Sequence, residues 1–245
     1  MRATHDEPDE RRARLDHGRA SFHLAEGLDP RDPALHATLR GWDWVARSLL
    51  SRGAVAPQTR TKLEDSRRIV GELLRVLAGD EPGEGTDAER HIVAAVADGR
   101  VQAVAALFAC PHAVFVELVA TAPWNLLAAG DPPDARSVRG AGGALLSFAE
   151  RWSHSSGRGG RVSLQAENPR AFGIYERMGF ARMRPSDAPL SLVPQGDHGW
   201  SESILRLAKG RAGPEEEKSP WMLLDPERSR GIRLVPVAPR RASRR

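Results

Sequence analysis

The chain has 245 residues, with 36 Lys plus Arg against 32 Asp plus Glu for a formal net charge of +4, 40% hydrophobic residues and one cysteine. That length can bury one sizeable core, while a lone Cys110 excludes an intrachain disulfide and argues against a cysteine-based zinc site. No apolar run approaches the ~18 residues of a membrane span, and Met1–Arg14 is charged, so a soluble, cytoplasmic protein with no membrane attachment is expected.

The first 19 residues carry no apolar period and are expected to form a disordered arm. Ser21 to Leu28 reads as a first strand, ended by Asp29-Pro30 and Asp32-Pro33. Helical stripes follow, one through Leu35, Leu39, Trp42, Val45, Ala46 and Leu49, another through Leu63, Ile69, Val70, Leu73, Leu74 and Leu77. Gly79 to Asp87 breaks the pattern. Ile92–Ala97, the turn Asp98-Gly99-Arg100 and Val101–Phe108 read as a hairpin, and Val114–Thr121, rich in β-branched residues, as a central strand.

Next come an irregular stretch from Trp124 to Val138 and a glycine-rich turn, Arg139-Gly-Ala-Gly-Gly-Ala144. Leu145, Leu146, Phe148, Ala149 and Trp152 then recur near helical spacing. Val162–Glu167 reads as a strand, the residues from Pro169 as a helix, and Phe180 to about Arg184 as a strand. After a Pro/Gly-rich loop, Ser203–Leu207 suits a final strand. The expected globular domain is therefore 20–209. Residues 210–245 form an extension, with an acidic run at Glu215–Glu217, a Trp221–Leu224 patch expected to dock on the domain, and a basic end, Arg240–Arg245.

The glycines at 140, 142 and 143 let successive backbone N–H groups point at one anion, reinforced by the positive end of the following helix. A Walker-type loop does not fit, because no Gly-Lys-Ser/Thr occurs here. A dinucleotide fingerprint fits poorly, because its third glycine falls on Leu145. A Gly/Ala-rich helix start with no ligand remains the alternative for the turn taken alone.

Arg139, Gly142 and Ala144, followed by Asn168, Ala171, Tyr175, Gly179 and Phe180 after a strand, resemble the two ordered motifs of the GNAT superfamily of acyl-CoA-dependent N-acyltransferases. The resemblance covers residues 114–184 well and extends more weakly to about residue 90. It implies an α/β (α+β) fold: a mixed, mostly antiparallel central sheet flanked by helices, with the acyl-CoA site where the central strands splay. It further implies acetyl-CoA or another acyl-CoA as cosubstrate, held by Val119, Ala120 and Thr121, by Arg139, Gly140, Ala141, Gly142, Gly143 and Ala144, and by Asn168, which equally suits an N-cap. The implied partner is an amine acceptor, small-molecule or protein. A non-catalytic acyl-CoA-binding regulator is a second reading. A nucleic-acid binder acting through Arg-rich ends at 1–19 and 236–245 is the least favoured, since lysine occurs only at 62, 209 and 218 and the arginine excess fits a coding bias.

An alkyl amine with a pKa near 10.4 is neutral about once in 2,500 molecules at pH 7, so a group must take its proton. Glu117, on the central strand, is the first candidate by resemblance. If it alternates with Val116 and Leu118 it points away from them, toward either the site or solvent. Glu167 and Gln165 are weaker candidates. Tyr175, the only tyrosine, holds the position where the resemblance implies a proton donor to the leaving thiolate; an aromatic packed against the sheet is its structural alternative. Trp124 and Asn125 lead the 124–138 insert, either shaping the site or, with Leu126, packing the insert down. His91, His112, His154 and His198 show no ligand spacing, so no metal is expected. Cys110 beside His112 reads as a small, partly buried side chain rather than a nucleophile.

Overall fold

The computed structural model describes residues 22–53, 55–79, 90–194 and 201–227. The expected arm at 1–19, nearly all of the 79–87 loop and the basic end at 240–245 lie outside the described residues. Among those described, no helix is long and apolar enough to cross a membrane.

Strand β1 (His23–Ala25) leads to helices α1 (Pro33–Ser51) and α2 (Pro57–Ala78). Both helices carry a proline in the first turn, where the missing N–H has no intrahelical partner to lose. Strands β2 (Arg90–Ala97) and β3 (Arg100–Ala109) form the expected hairpin; Asp98 at φ 50° and Gly99 at φ 69° supply the left-handed pair that a tight turn between twisted strands requires. Then come β4 (Val114–Thr121), α3 (Ala141–Ser155), β5 (Val162–Gln165), α4 (Pro169–Arg177) and the two-residue β6 (Ala181–Arg182).

Beyond β6 the chain departs from the elements expected of it. Ser203–Leu207 is no strand: it lies in helix α5 (Ser201–Ala208), which buries Ile204 and Leu207 three residues apart and leaves Leu205 exposed. After α6 (Pro214–Lys218), Trp221–Leu224 forms strand β7, which pairs with β5 on one side and β6 on the other. The patch expected to dock from a tail is an inner strand, so the sheet runs to residue 224 and not to 209. A four-residue run buried on both faces has no alternation to betray it.

Among the described residues seven strands form one sheet in the order β1-β2-β3-β4-β5-β7-β6, each pairing antiparallel except β4 with β5. Helix α3 packs on one face, its Ala144, Leu145 and Ala149 against Ala105, Leu107 and Val116. Helices α1 and α2 cover the other face, with Leu39, Trp42, Val70 and Leu73 against Ile92, Val104 and Ala106. The α5 side adds a third cluster around Phe108, Phe115 and Trp221.

Two irregularities in the sheet build the site. Leu107 pairs with Val116 while Ala106 pairs with Leu118, so Glu117 is an extra residue in β4, a β-bulge. Pairing between β4 and β5 covers only Val114–Val116 with Val162–Leu164, although β4 runs on to Thr121. Beyond the bulge the two strands part, and a groove opens between them.

Candidate active site

Helix α3 starts at the glycine turn. Gly140 is its N-cap with φ +98°, a backbone state that a side chain would strain, and it provides no side-chain cap. The Ala144 amide closes the first turn onto the Gly140 carbonyl at 2.9 Å. This leaves the amides of Ala141, Gly142 and Gly143 as the first-turn donors that no intrahelical carbonyl satisfies. The side chains of Ala141 and Ala144 face the core and Arg139 is exposed, so the six residues of the turn divide into those that can offer amides to a ligand and those that seat the helix. A Cβ on Gly142 would lie 3.4 Å from Thr121 Cγ2; one on Gly143 would lie 3.1 Å from Met178 Cε. Glycine here keeps a cleft open between α3, β4 and α4.

That cleft, about 200 Å³, has Val119, Ala120 and Thr121 of β4 as its floor and Gly142, Gly143 and Leu146 as one wall. Arg170, Ala171, Ile174, Tyr175 and Met178 form a second wall, and Lys62, Asp65, Ser66 and Ile69 of α2 a third. Lys62, Asp65 and Ser66 were not expected at the site, and Ile69 was expected only in the core stripe of α2. Their i, i+3, i+4, i+7 spacing was a second stripe beside the first and was the available signal.

Tyr175 projects from α4 into this groove, its ring 5.7 Å from Phe180. Burial, and secondarily the negative charge of Glu167, push its hydroxyl up to about 12. The group therefore remains a donor throughout the neutral range. Asn168 is the N-cap of α4: its side chain accepts from the Ala171 amide at 2.9 Å and reaches Asp65 at 3.4 Å. It orients the helix that carries Tyr175.

Glu117 does not line the groove. Arg90 Nε and Nη2 donate to its two carboxylate oxygens at 2.8 and 2.9 Å, and its side chain is 4% exposed. The bulge is the reason: Val116 joins the α3-side core but Leu118 the α1/α2-side core, so the expected simple alternation around Glu117 does not hold. The first candidate for the proton acceptor thus faces neither the groove nor solvent but is buried in a two-point ion pair with Arg90. Gln165 is likewise engaged, donating to the Ser219 carbonyl at 3.0 Å. Glu167, 33% exposed, pairs with Arg68, which also reaches Glu72 at 2.8 Å.

The 124–138 insert is packed down. Trp124 is buried edge-on to Trp42 at 6.3 Å, donates to Gln102 Oε1 at 2.9 Å and is covered by the Arg136 guanidinium at 4.3 Å. Asn125 accepts from the Val138 amide at 2.7 Å and donates to Gln102. Only Leu126 of this group reaches the groove. Asp131 accepts from the amides of Ala56 and Ala128 and from the Thr59 hydroxyl, supplying the cap that Ala56 cannot give to α2. Burial raises its carboxyl, but these donors outweigh burial and hold it below the usual carboxylate range. Among the described residues, no group of three or more His, Cys, Asp or Glu is placed to hold a metal. Cys110 is buried, and burial pushes its thiol up to about 12, which leaves it protonated and inert.

A mostly antiparallel sheet that splays beside a glycine-started helix is the architecture expected from the two motifs. No protein-family model matches the chain, and no curated protein does. Among solved structures it is similar to Escherichia coli ElaA, at 10% identity and a TM-score of 0.40 over 83% of this chain and 99% of that one. It is also similar to the PaiA N-acetyltransferase from Thermoplasma acidophilum in complex with coenzyme A, at 15%, 0.39, 84% and 99%. A third similar structure is aminoglycoside 6'-acetyltransferase type Ii, at 13%, 0.41, 82% and 95%.

Proposed function

We propose that this protein is an acyl-CoA-dependent N-acyltransferase that moves an acyl group, most simply acetyl, to an amine by direct attack while both substrates are bound. The observation that carries the reading is the groove: split strands for a floor, free helix amides at one wall and a protonated tyrosine at another.

Each part has a matching demand. First-turn amides and the helix dipole suit a diphosphate without a lysine contact. Val119–Thr121 pair with β3 on one side, but among the described residues no strand lies beside them on the β5 side, where amides of an extended pantetheine arm can bond as an added strand would. At about 200 Å³ the groove is smaller than a site for a whole drug-sized ligand (~300–1,000 Å³), so it suits the narrow arm, with the nucleotide outside. Tyr175 can hydrogen-bond to sulfur as the C–S bond breaks. Holding thioester and amine together in this geometry can supply up to roughly 7–11 kcal/mol of the barrier.

The test is calorimetric titration with acetyl-CoA, followed by a free-thiol assay over a panel of amines. Saturable binding and amine-dependent thiol release are expected. Binding with no thiol release from any amine would favour a regulatory protein, and no binding would refute the reading.

A further inference from the structure

In the acyl-transfer reading, on which this inference rests, β4 takes the pantetheine arm, the α3 amides take the diphosphate and α4 supplies Tyr175. The α2 wall has no part in it. Helix α3 packs on one face of the sheet and α2 on the other, so α2 meets the groove through the split between β4 and β5. A diphosphate on the α3 amides lies on the far face. What the α2 wall meets is therefore the second substrate, the amine.

Among the described residues, the charged side chains lining the groove are Lys62, Asp65 and Arg170. Asp65 pairs with Arg170 at 2.6 Å and accepts from the Asn168 amide group at 3.4 Å, so those two charges cancel. Lys62, half-buried, makes no ion pair among the described residues. Its charge helps to lower the Asp131 carboxyl, but Asp131 is already occupied by the Ala56 and Ala128 amides and the Thr59 hydroxyl. The groove thus keeps one positive charge that nothing in its lining neutralises.

Ser66 stands one turn further along α2, so it neighbours Lys62 on the same helix face. Its side chain is buried, yet its hydroxyl reaches only the Thr121 carbonyl, at 3.5 Å, the outer limit of a hydrogen bond. An ammonium and a loosely bonded hydroxyl side by side match the two oxygens of a carboxylate. Ile69, next on the same stripe, and Leu126 of the insert are apolar.

We propose that the acceptor is an amine that carries a carboxylate, held by the Lys62 ammonium and the Ser66 hydroxyl while its amino group points into the split toward the thioester. Ile69 and Leu126 suit the methylenes between the two ends. A diamine meets the opposite field: Lys62 repels its second charge, and Asp65, held by Arg170 and Asn168, is not free to attract it.

The test compares acetylation of ω-amino acids, from glycine to 6-aminohexanoate, with that of the matching alkylamines and of 1,4-diaminobutane. The full chain, Lys62→Gln, Lys62→Arg, Lys62→Glu and Ser66→Ala are each assayed by thiol release. For at least one chain length, wild type is expected to prefer the carboxylated member by about tenfold or more in kcat/KM. That preference should fall as sodium chloride is raised, because the pair lies at a solvent-facing wall. It should vanish in Lys62→Gln, mainly through KM, persist in Lys62→Arg, and turn toward the diamine in Lys62→Glu. Acetyl-CoA affinity by calorimetry should be unchanged in all four variants. Ser66→Ala should raise KM for the carboxylated amine alone; no rise would strike the hydroxyl from the site. A wild type indifferent to the carboxylate, or a preference that survives Lys62→Gln, would overturn the proposal while leaving acyl transfer standing. So would weakened acetyl-CoA binding in Lys62→Gln with unaltered acceptor preference, which would assign the ammonium to the phosphates of the cosubstrate. A wild type that binds no acetyl-CoA, or acetylates no amine, would overturn both.

Discussion

Replacing Gly142 by Glu separates binding from folding at the helix that the site depends on. The new Cβ would sit 3.4 Å from Thr121 Cγ2, a tight contact but not a collision, and the longer side chain would enter the groove beside the first-turn amides. Removing a helix glycine gains up to about 1 kcal/mol, and a carboxylate in the first turn gains a further 0.3–1 kcal/mol or so from the dipole. The fold should therefore keep or raise its Tm. The ligand meets the opposite effect. Two like charges about 5 Å apart at an effective dielectric near 20 repel by about 3 kcal/mol, roughly a hundredfold in Kd, before the lost volume is counted. Calorimetry with acetyl-CoA and thermal unfolding of the same samples read both quantities, with Gly142→Ala as the uncharged comparison expected to bind more weakly than wild type but far better than the Glu variant. Unchanged affinity in Gly142→Glu would refute the placement of the diphosphate.

Tyr175→Phe should lower kcat more than it weakens acetyl-CoA binding; equal losses in steady-state kinetics and calorimetry would instead make the ring a binding contact. Because the folded hydroxyl lies above its ordinary 10.0, at about 12, its contribution to stability is complete below pH 10 and lost as pH rises to 12. Alkaline unfolding of Tyr175→Phe should lack that part. Glu216 shows the opposite sign. Burial raises its carboxyl, but the Gly213 amide and Arg206 outweigh this and bring it to about 2, so stability present above pH 4.5 is lost toward pH 2, and Glu216→Gln should show a flatter acid profile of Tm. Asp131→Ala removes three donors' partner and the trans cap of α2 and should cost about 2–4 kcal/mol by urea unfolding. A chain ended at residue 209 lacks inner strand β7 and should fail to give a cooperative melt.

The sequence by itself determined the elements whose signals are local. A run rich in β-branched residues specified β4, apolar stripes α1 and α2, and Asp98-Gly99 the β2–β3 hairpin. Gly140–Gly143 with Asn168 and Tyr175 marked the start of α3 and the helix that form two walls of the groove, because glycine at φ +98° and an Asx cap are requirements of single residues. Only the tertiary structure decided the rest. Ile204-Leu-Arg-Leu207 fits either period, and Trp221–Leu224 fits neither, so their roles depended on which surface was left uncovered, between β5 and β6. The bulge at Glu117 is a mismatch between two strands, written in neither alone, and it turned that carboxylate toward Arg90. The pairing of Glu167 with Arg68, 99 positions away, exists only because α2 lies across the split between β4 and β5.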